Sequence, residues 1–181
     1  MIVGKLVKYM SEEEKKGPQW YHLFPPSIVI KSHIDIPDGW VDKIEEWCLK
    51  YGEYIEEGRL TTTYGSTHRP HSVPWIKEIL DVIAPEDAFD NSWVQVYDTG
   101  GFIPIHNHIG HVKLRDSGCL FLTEGKSTYF QDPLHQNQTT SSPVKVGDVW
   151  IWEPEVYHFS PPVMEKRIIL AFNLKQTEPT K

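Results

Sequence analysis

The sequence predicts a mainly β fold, a sandwich or barrel of short strands with two helices packed on one outer sheet face. Three observations predict it. After residue 90, seven short β-rich runs follow one another, each closed by turn residues. The 181 residues include 14 Pro and 12 Gly, so the chain turns often. The 7 Trp, 8 Tyr and 9 His favour strands around a polar pocket over a helical bundle.

The elements read in order as follows. Residues 1–20 hold no sustained pattern, and Leu23–Pro26 is a turn. Ile28–Ile34 is β-branched and reads as a strand. Asp38 is placed to N-cap a helix in which Trp40, Val41, Ile44, Trp47, Cys48 and Tyr51 recur at helical spacing, with Gly52 as its stop. Residues 59–72 read as a strand and then a loop containing His68 and His71; the loop reading makes both solvated. Ser72 caps a second helix with Pro74 in its first turn and Trp75, Ile76, Ile79, Leu80 and Ile83 on one face. The β-rich runs are Ser92–Tyr97, Phe102–His108, Gly118–Thr123, Ser127–Gln131, Val144–Trp152, Tyr157–Ser160 and Arg167–Leu174. The tail from Gln176 is polar. One domain over 1–181, with its barrel core at about 90–175, accommodates all of this.

Charge narrows the function classes. Lys plus Arg is 18 and Asp plus Glu is 25, a net charge of −7 that argues against general nucleic-acid binding. No apolar run approaches the ~18 residues of a membrane span. The N-terminus has no signal-like apolar region, and Cys48 and Cys119 sit in unlike contexts that read as free thiols. A cytoplasmic protein is expected.

The densest chemistry lies at Gly100–His111. Side chains two apart on a strand share a face, so His106 and His108 project together and can hold one metal ion. His111 lies beyond Gly110, where the strand is expected to break, and is left out of the set. His158 is positioned to close a triad if its strand lies beside theirs. On Arg167–Leu174, alternation puts Ile168, Leu170, Phe172 and Leu174 on one face and Arg167, Ile169, Ala171 and Asn173 on the other. The first face is apolar and belongs under the helices. The second turns an arginine and an amide toward a pocket, where the guanidinium suits a carboxylate.

The order of these parts resembles the 2-oxoglutarate/Fe(II)-dependent oxygenases, and within them the prolyl-4-hydroxylase-like branch that includes phage and bacterial forms. The resemblance is carried by Ser92–Gly101, His106–His108, Ser117–Leu122, Thr128–Pro133, Gly147–Trp152, His158 and Arg167–Asn173, about half the chain. It implies a double-stranded β-helix, or jelly roll. It implies that His106, His108 and His158 bind Fe(II), that Arg167 holds the distal carboxylate of 2-oxoglutarate, and that Tyr97 and Asn173 face the cosubstrate. The implied reaction is oxidation by O2, most simply hydroxylation, with release of succinate and CO2. The substrate, a small molecule or a peptide or protein side chain, is not implied. One departure stands out: the family's usual second ligand is a carboxylate, and here that position is His108. Asp98, Asp116, Glu153 and Glu155 are the alternative carboxylates, none at the expected spacing. Two other readings stay open. Gly100 followed by His106 and His108 also matches the start of a cupin motif, and a non-catalytic β-sandwich binding module needs no metal.

Overall fold

The computed structural model describes residues 29–109, 114–126, 128–131 and 138–175. The turn at Leu23–Pro26, the strand break at Gly110 with His111, and the tail from Gln176 lie outside the described residues. In chain order the elements are β1 (Val29–His33), α1 (Trp40–Tyr51), β2 (Glu53–Ile55), β3 (Leu60–Thr62), a 3-10 turn at Pro70–Ser72, α2 (Pro74–Ile83), a second 3-10 turn at Glu86–Ala88 and β4 (Phe89–Tyr97). They continue with β5 (Ile103–His106), β6 (Leu114–Phe121), β7 (Gly125–Lys126), β8 (Tyr129–Gln131), β9 (Thr139–Thr140), β10 (Pro143–Val144), β11 (Asp148–Trp152), β12 (His158–Ser160) and β13 (Arg167–Lys175).

Two antiparallel sheets make a jelly roll. The larger runs β1-β11-β6-β13-β4-β3-β2 and the smaller runs β5-β12-β8-β9, with β7 and β10 forming a short ribbon. β13 is central, paired with β4 on one side and β6 on the other. Its outward residues Ile168, Leu170, Phe172 and Leu174 join Trp40, Ile44 and Cys48 of α1 and Ile76 and Leu80 of α2 in one buried cluster. Both helices therefore pack on the outer face of the larger sheet, as their periodic apolar stripes require. The edge-to-face pair Trp40–Trp75, with ring centroids 5.6 Å apart, ties them together. A second cluster fills the space between the sheets, with Trp93 and Tyr97 from β4, Phe130 from β8, Trp150 and Trp152 from β11 and Ile169 and Ala171 from β13. Gly118 of β6 lies opposite Phe172 of β13, and a Cβ there would come within 2.5 Å of the Phe172 ring.

The helix starts differ from the sequence expectation. The N-cap of α1 is Gly39, at φ 73° with no side-chain cap, so Asp38 lies one residue outside the capping position. The N-cap of α2 is Val73, because Ser72 is drawn into the preceding 3-10 turn, its N–H donating to Arg69 O at 2.9 Å. The strand β2, all exposed, follows Gly52 directly and was not expected. His71 is also not solvated. It is buried, stacked on Phe89 with centroids 5.8 Å apart, its Nδ1 2.8 Å from Ser92 Oγ. Only His68 of that pair is exposed, stacked on Tyr51.

Candidate metal centre

Three histidines meet between the sheets. β12 pairs with β5 in a register that sets His158 opposite His106. β5 ends at His106, two residues earlier than its sequence run suggests, because the chain leaves the ladder and His108 N–H donates to Pro154 O at 2.8 Å. His108 still turns to the same side. The ring centroids are 4.3 Å apart for His106–His158, 5.2 Å for His108–His158 and 5.4 Å for His106–His108. One ligand nitrogen from each lies within 4.8 Å of the others. Among the described residues no carboxylate belongs to this group; Asp98, Asp116, Glu153 and Glu155 all lie outside it.

The backbone and neighbouring side chains fix the ring protons. His106 Nδ1 is 2.9 Å from Pro104 O, and His158 Nδ1 is 2.9 Å from Val156 O. A carbonyl only accepts, so each Nδ1 carries the proton and each Nε2 carries the lone pair a metal needs. At His108 the partner is an amide. Asn173 Oδ1 accepts from His108 Nδ1 at 2.8 Å and from the Ser117 hydroxyl at 2.9 Å, and Ser117 Oγ is itself 2.8 Å from Nδ1. Ser117 and Asn173 are cross-strand partners in the β6–β13 register, so the pair is set by the sheet. Burial first, then the neighbouring His106, pushes the His158 pKa down to about 3, which keeps that imidazole neutral.

Arg167 lies behind the far wall of the cavity, against the lining residues Tyr97 and Ser160. It is 8% exposed and points inward, with its guanidinium over the rings of Tyr97 and Phe121 at 5.6 and 5.5 Å. Nη1 donates to Ser160 Oγ at 2.7 Å, while Nε and Nη2 are buried with no hydrogen-bond partner. Asp148, a conceivable partner, is turned away, bonded to His33 Nδ1 at 2.8 Å and to Lys145 N–H at 2.9 Å. Tyr97 is the cross-strand neighbour of Arg167 and fully buried. Its hydroxyl donates to Gln95 Oε1 at 2.8 Å. Burial drives its pKa far up despite the pull of Arg167, so the phenol stays a neutral donor. Cys119, on the same cavity wall, is held as a thiol by burial, its pKa pushed up to about 12. Trp93, Gln95 and Tyr97 all line the cavity, as their shared strand face requires.

The sequence reading did not include Ser160 and Ser117. Ser160 had a usable signal, since it lies two residues from His158 on the same strand face. Ser117 had none, because its partners His108 and Asn173 are 9 and 56 residues away.

No family model and no curated protein matches the sequence. Solved structures do match the fold. A prolyl-4-hydroxylase from Pseudomonas putida superposes with a TM-score of 0.58 at 12% identity, covering 83% of this chain and 93% of its own. HygX from Streptomyces hygroscopicus, solved with nickel and 2-oxoglutarate, gives 0.58 at 12% identity over 94% of this chain and 89% of its own. A non-heme α-ketoglutarate-dependent carbocyclase from nogalamycin biosynthesis gives 0.61 at 10% identity over 93% and 85%. At these identities the likeness is one of architecture. The chain has the double-stranded β-helix fold of the prolyl-4-hydroxylases and other 2-oxoglutarate/Fe(II) oxygenases.

Proposed function

We propose that the protein is an Fe(II)- and 2-oxoglutarate-dependent oxygenase, a hydroxylase in its simplest form. The observation that carries this reading is the Arg167 guanidinium, buried with two donors unpartnered and bonded to Ser160, on the same strand as His158 of the three-histidine cluster. Ser160, which Arg167 contacts, and His158 lie two residues apart on one strand, roughly 6.6 Å at ~3.3 Å per residue. That is the length scale of a five-carbon dicarboxylate. A buried guanidinium without a counter-charge is costly, and a carboxylate anchored there removes the cost.

His106, His108 and His158 would hold the metal through neutral imidazole nitrogens, a donor set that suits iron, nickel and zinc alike. Three uncharged ligands leave the full charge of a divalent ion for a dianionic cosubstrate to balance, so the missing carboxylate ligand fits a site completed by 2-oxoglutarate. When bound, the metal supplies O2 activation coupled to oxidative decarboxylation of the keto acid. The protein's own residues do the rest. Arg167 and the Ser160 hydroxyl orient the distal carboxylate in two-pronged fashion. Tyr97, neutral and tied to Gln95, walls the cosubstrate's methylene chain. Asn173 acts as a positioning residue, with Ser117, for the His108 ring. The apolar walls between the sheets exclude water from the reacting centre. The two free buried thiols fit a reducing, cytoplasmic setting.

The test is an anaerobic titration of the metal-free protein with Fe(II) and then 2-oxoglutarate. A visible charge-transfer band that needs both components, at one equivalent each, is expected. Iron binding without any spectral or calorimetric response to 2-oxoglutarate sinks the reading.

A further inference from the structure

The cavity that holds the histidines extends well past them. Its volume is about 650 Å³. Buried Leu60, Tyr97 and Ser160 form the floor at the Arg167 end, and exposed Ile55, Glu57 and Tyr64 form the mouth. A continuous aromatic wall joins the mouth to the metal centre. The exposed Tyr64 ring stands edge-on to Trp93, centroids 5.1 Å apart, and Trp93 lies 6.5 Å from His108. Charge is almost absent from the lining. Among the described residues Glu57 at the rim is the one acidic or basic lining side chain, the histidines aside. Among the described residues Arg167 is the one buried Lys or Arg, and it lies behind the floor, bonded to Ser160. Anything anionic entering the outer half would therefore lose hydration and meet no cationic lining side chain among the described residues. Among the polar side chains of the lining, Asn107, between His106 and His108, has a donor to spare: its Oδ1 accepts from Ile109 N–H at 3.2 Å, and its Nδ2 is buried with no partner. Trp152 Nε1 is also unpartnered, in an indole that stands edge-on to His158 with centroids 4.9 Å apart.

We infer that the substrate to be oxidised is a neutral small molecule with a flat apolar ring and one hydrogen-bond acceptor oxygen. The ring lies along Tyr64 and Trp93, and the acceptor takes the Asn107 Nδ2 donor. This rests on the oxygenase reading for what happens to the molecule, but not for how it binds. A site built with one buried donor discriminates against ligands lacking the acceptor, because the donor is then left unpaired.

Three probes sharing one ring test this: acetophenone, ethylbenzene and benzoate. Binding to the Zn(II)- and 2-oxoglutarate-loaded protein is followed by NMR of the tryptophan indole N–H signals. Acetophenone should bind about tenfold more tightly than ethylbenzene, and benzoate most weakly. Asn107→Leu should bring acetophenone and ethylbenzene within about twofold of each other. Tyr64→Ala, a change at an exposed position, should weaken both alike. The inference is overturned by benzoate binding as tightly as acetophenone, by a ketone preference that survives Asn107→Leu, by indifference to Tyr64→Ala, or by no binding of any probe. Zn(II) and 2-oxoglutarate binding are measured in the same samples. If they hold while the probes fail, only the substrate class is wrong. If they fail while the probes bind as described, only the oxygenase reading is wrong.

Discussion

The two faces of strand β13 divide the labour of the molecule. On the outer face Ile168, Leu170, Phe172 and Leu174 are buried against α1 and α2 in a wholly apolar cluster. On the inner face Arg167 and Asn173 are also buried but polar, flanking Ile169 and Ala171. The outer face is complete as it stands, since every group there is satisfied by packing. The inner face is complete only at one end. Asn173 has its partners in Ser117 and His108, whereas Arg167 has two donors with none. The contrast teaches where to look for function on a sheet: burial is shared by both faces, and the unmet polar demand marks the working one.

Substitutions on the two faces should therefore separate stability from binding. The largest effect is expected on the outer face. Leu170→Ala, at a fully buried position, should cost about 3–5 kcal/mol of folding stability, read by denaturant unfolding. Its folded fraction should bind 2-oxoglutarate normally. On the inner face Arg167→Ala should behave in reverse. It should weaken 2-oxoglutarate by about 2–5 kcal/mol in calorimetry while the apo protein loses no stability, because an uncompensated buried charge is removed. Arg167→Lys should restore only part, lacking the planar fork. A marked drop in apo stability for Arg167→Ala would erase the distinction between the faces.

Asn173→Leu sharpens the comparison at the other end of the strand. Losing the acceptor that orients His108 should weaken Zn(II) about 10- to 100-fold in a competition titration. Asn173→Asp, which keeps an acceptor, should retain most of the affinity. Smaller still is a pH effect. Burial, with the nearby Arg69, lowers the His71 pKa, and His158 is pushed down to about 3. As pH falls below the ordinary histidine value of about 6.5, the unfolded chain takes up protons that the folded one refuses. Stability of the metal-free protein should fall from that pH downward, with no such loss above it. Thermal melts at pH 7 and pH 5 should show a Tm lower by a few degrees at pH 5, and a smaller drop in His71→Gln.

Local periodicity by itself determined a good deal. The 3.6-residue recurrence of apolar residues located α1 and α2, and the two-residue alternation of β13 assigned each of its side chains to the helix-covered or the cavity face. These are properties of a backbone repeat, and a repeat can be read from a dozen consecutive residues. The same alternation put His106 and His108 on one side. Contacts across the chain were a different matter. That His158 stands opposite His106 depends on the β12–β5 register, and that Asn173 meets His108 depends on β13 pairing with β6 so as to bring Ser117 alongside. The inward turn of Ser160 onto Arg167, the burial of His71 against Phe89, and the rim that Ile55 and Tyr64 supply to the cavity are of the same kind. Register is settled by which pairing buries both apolar clusters at once, a sum over the whole core, and so only the tertiary structure decided it.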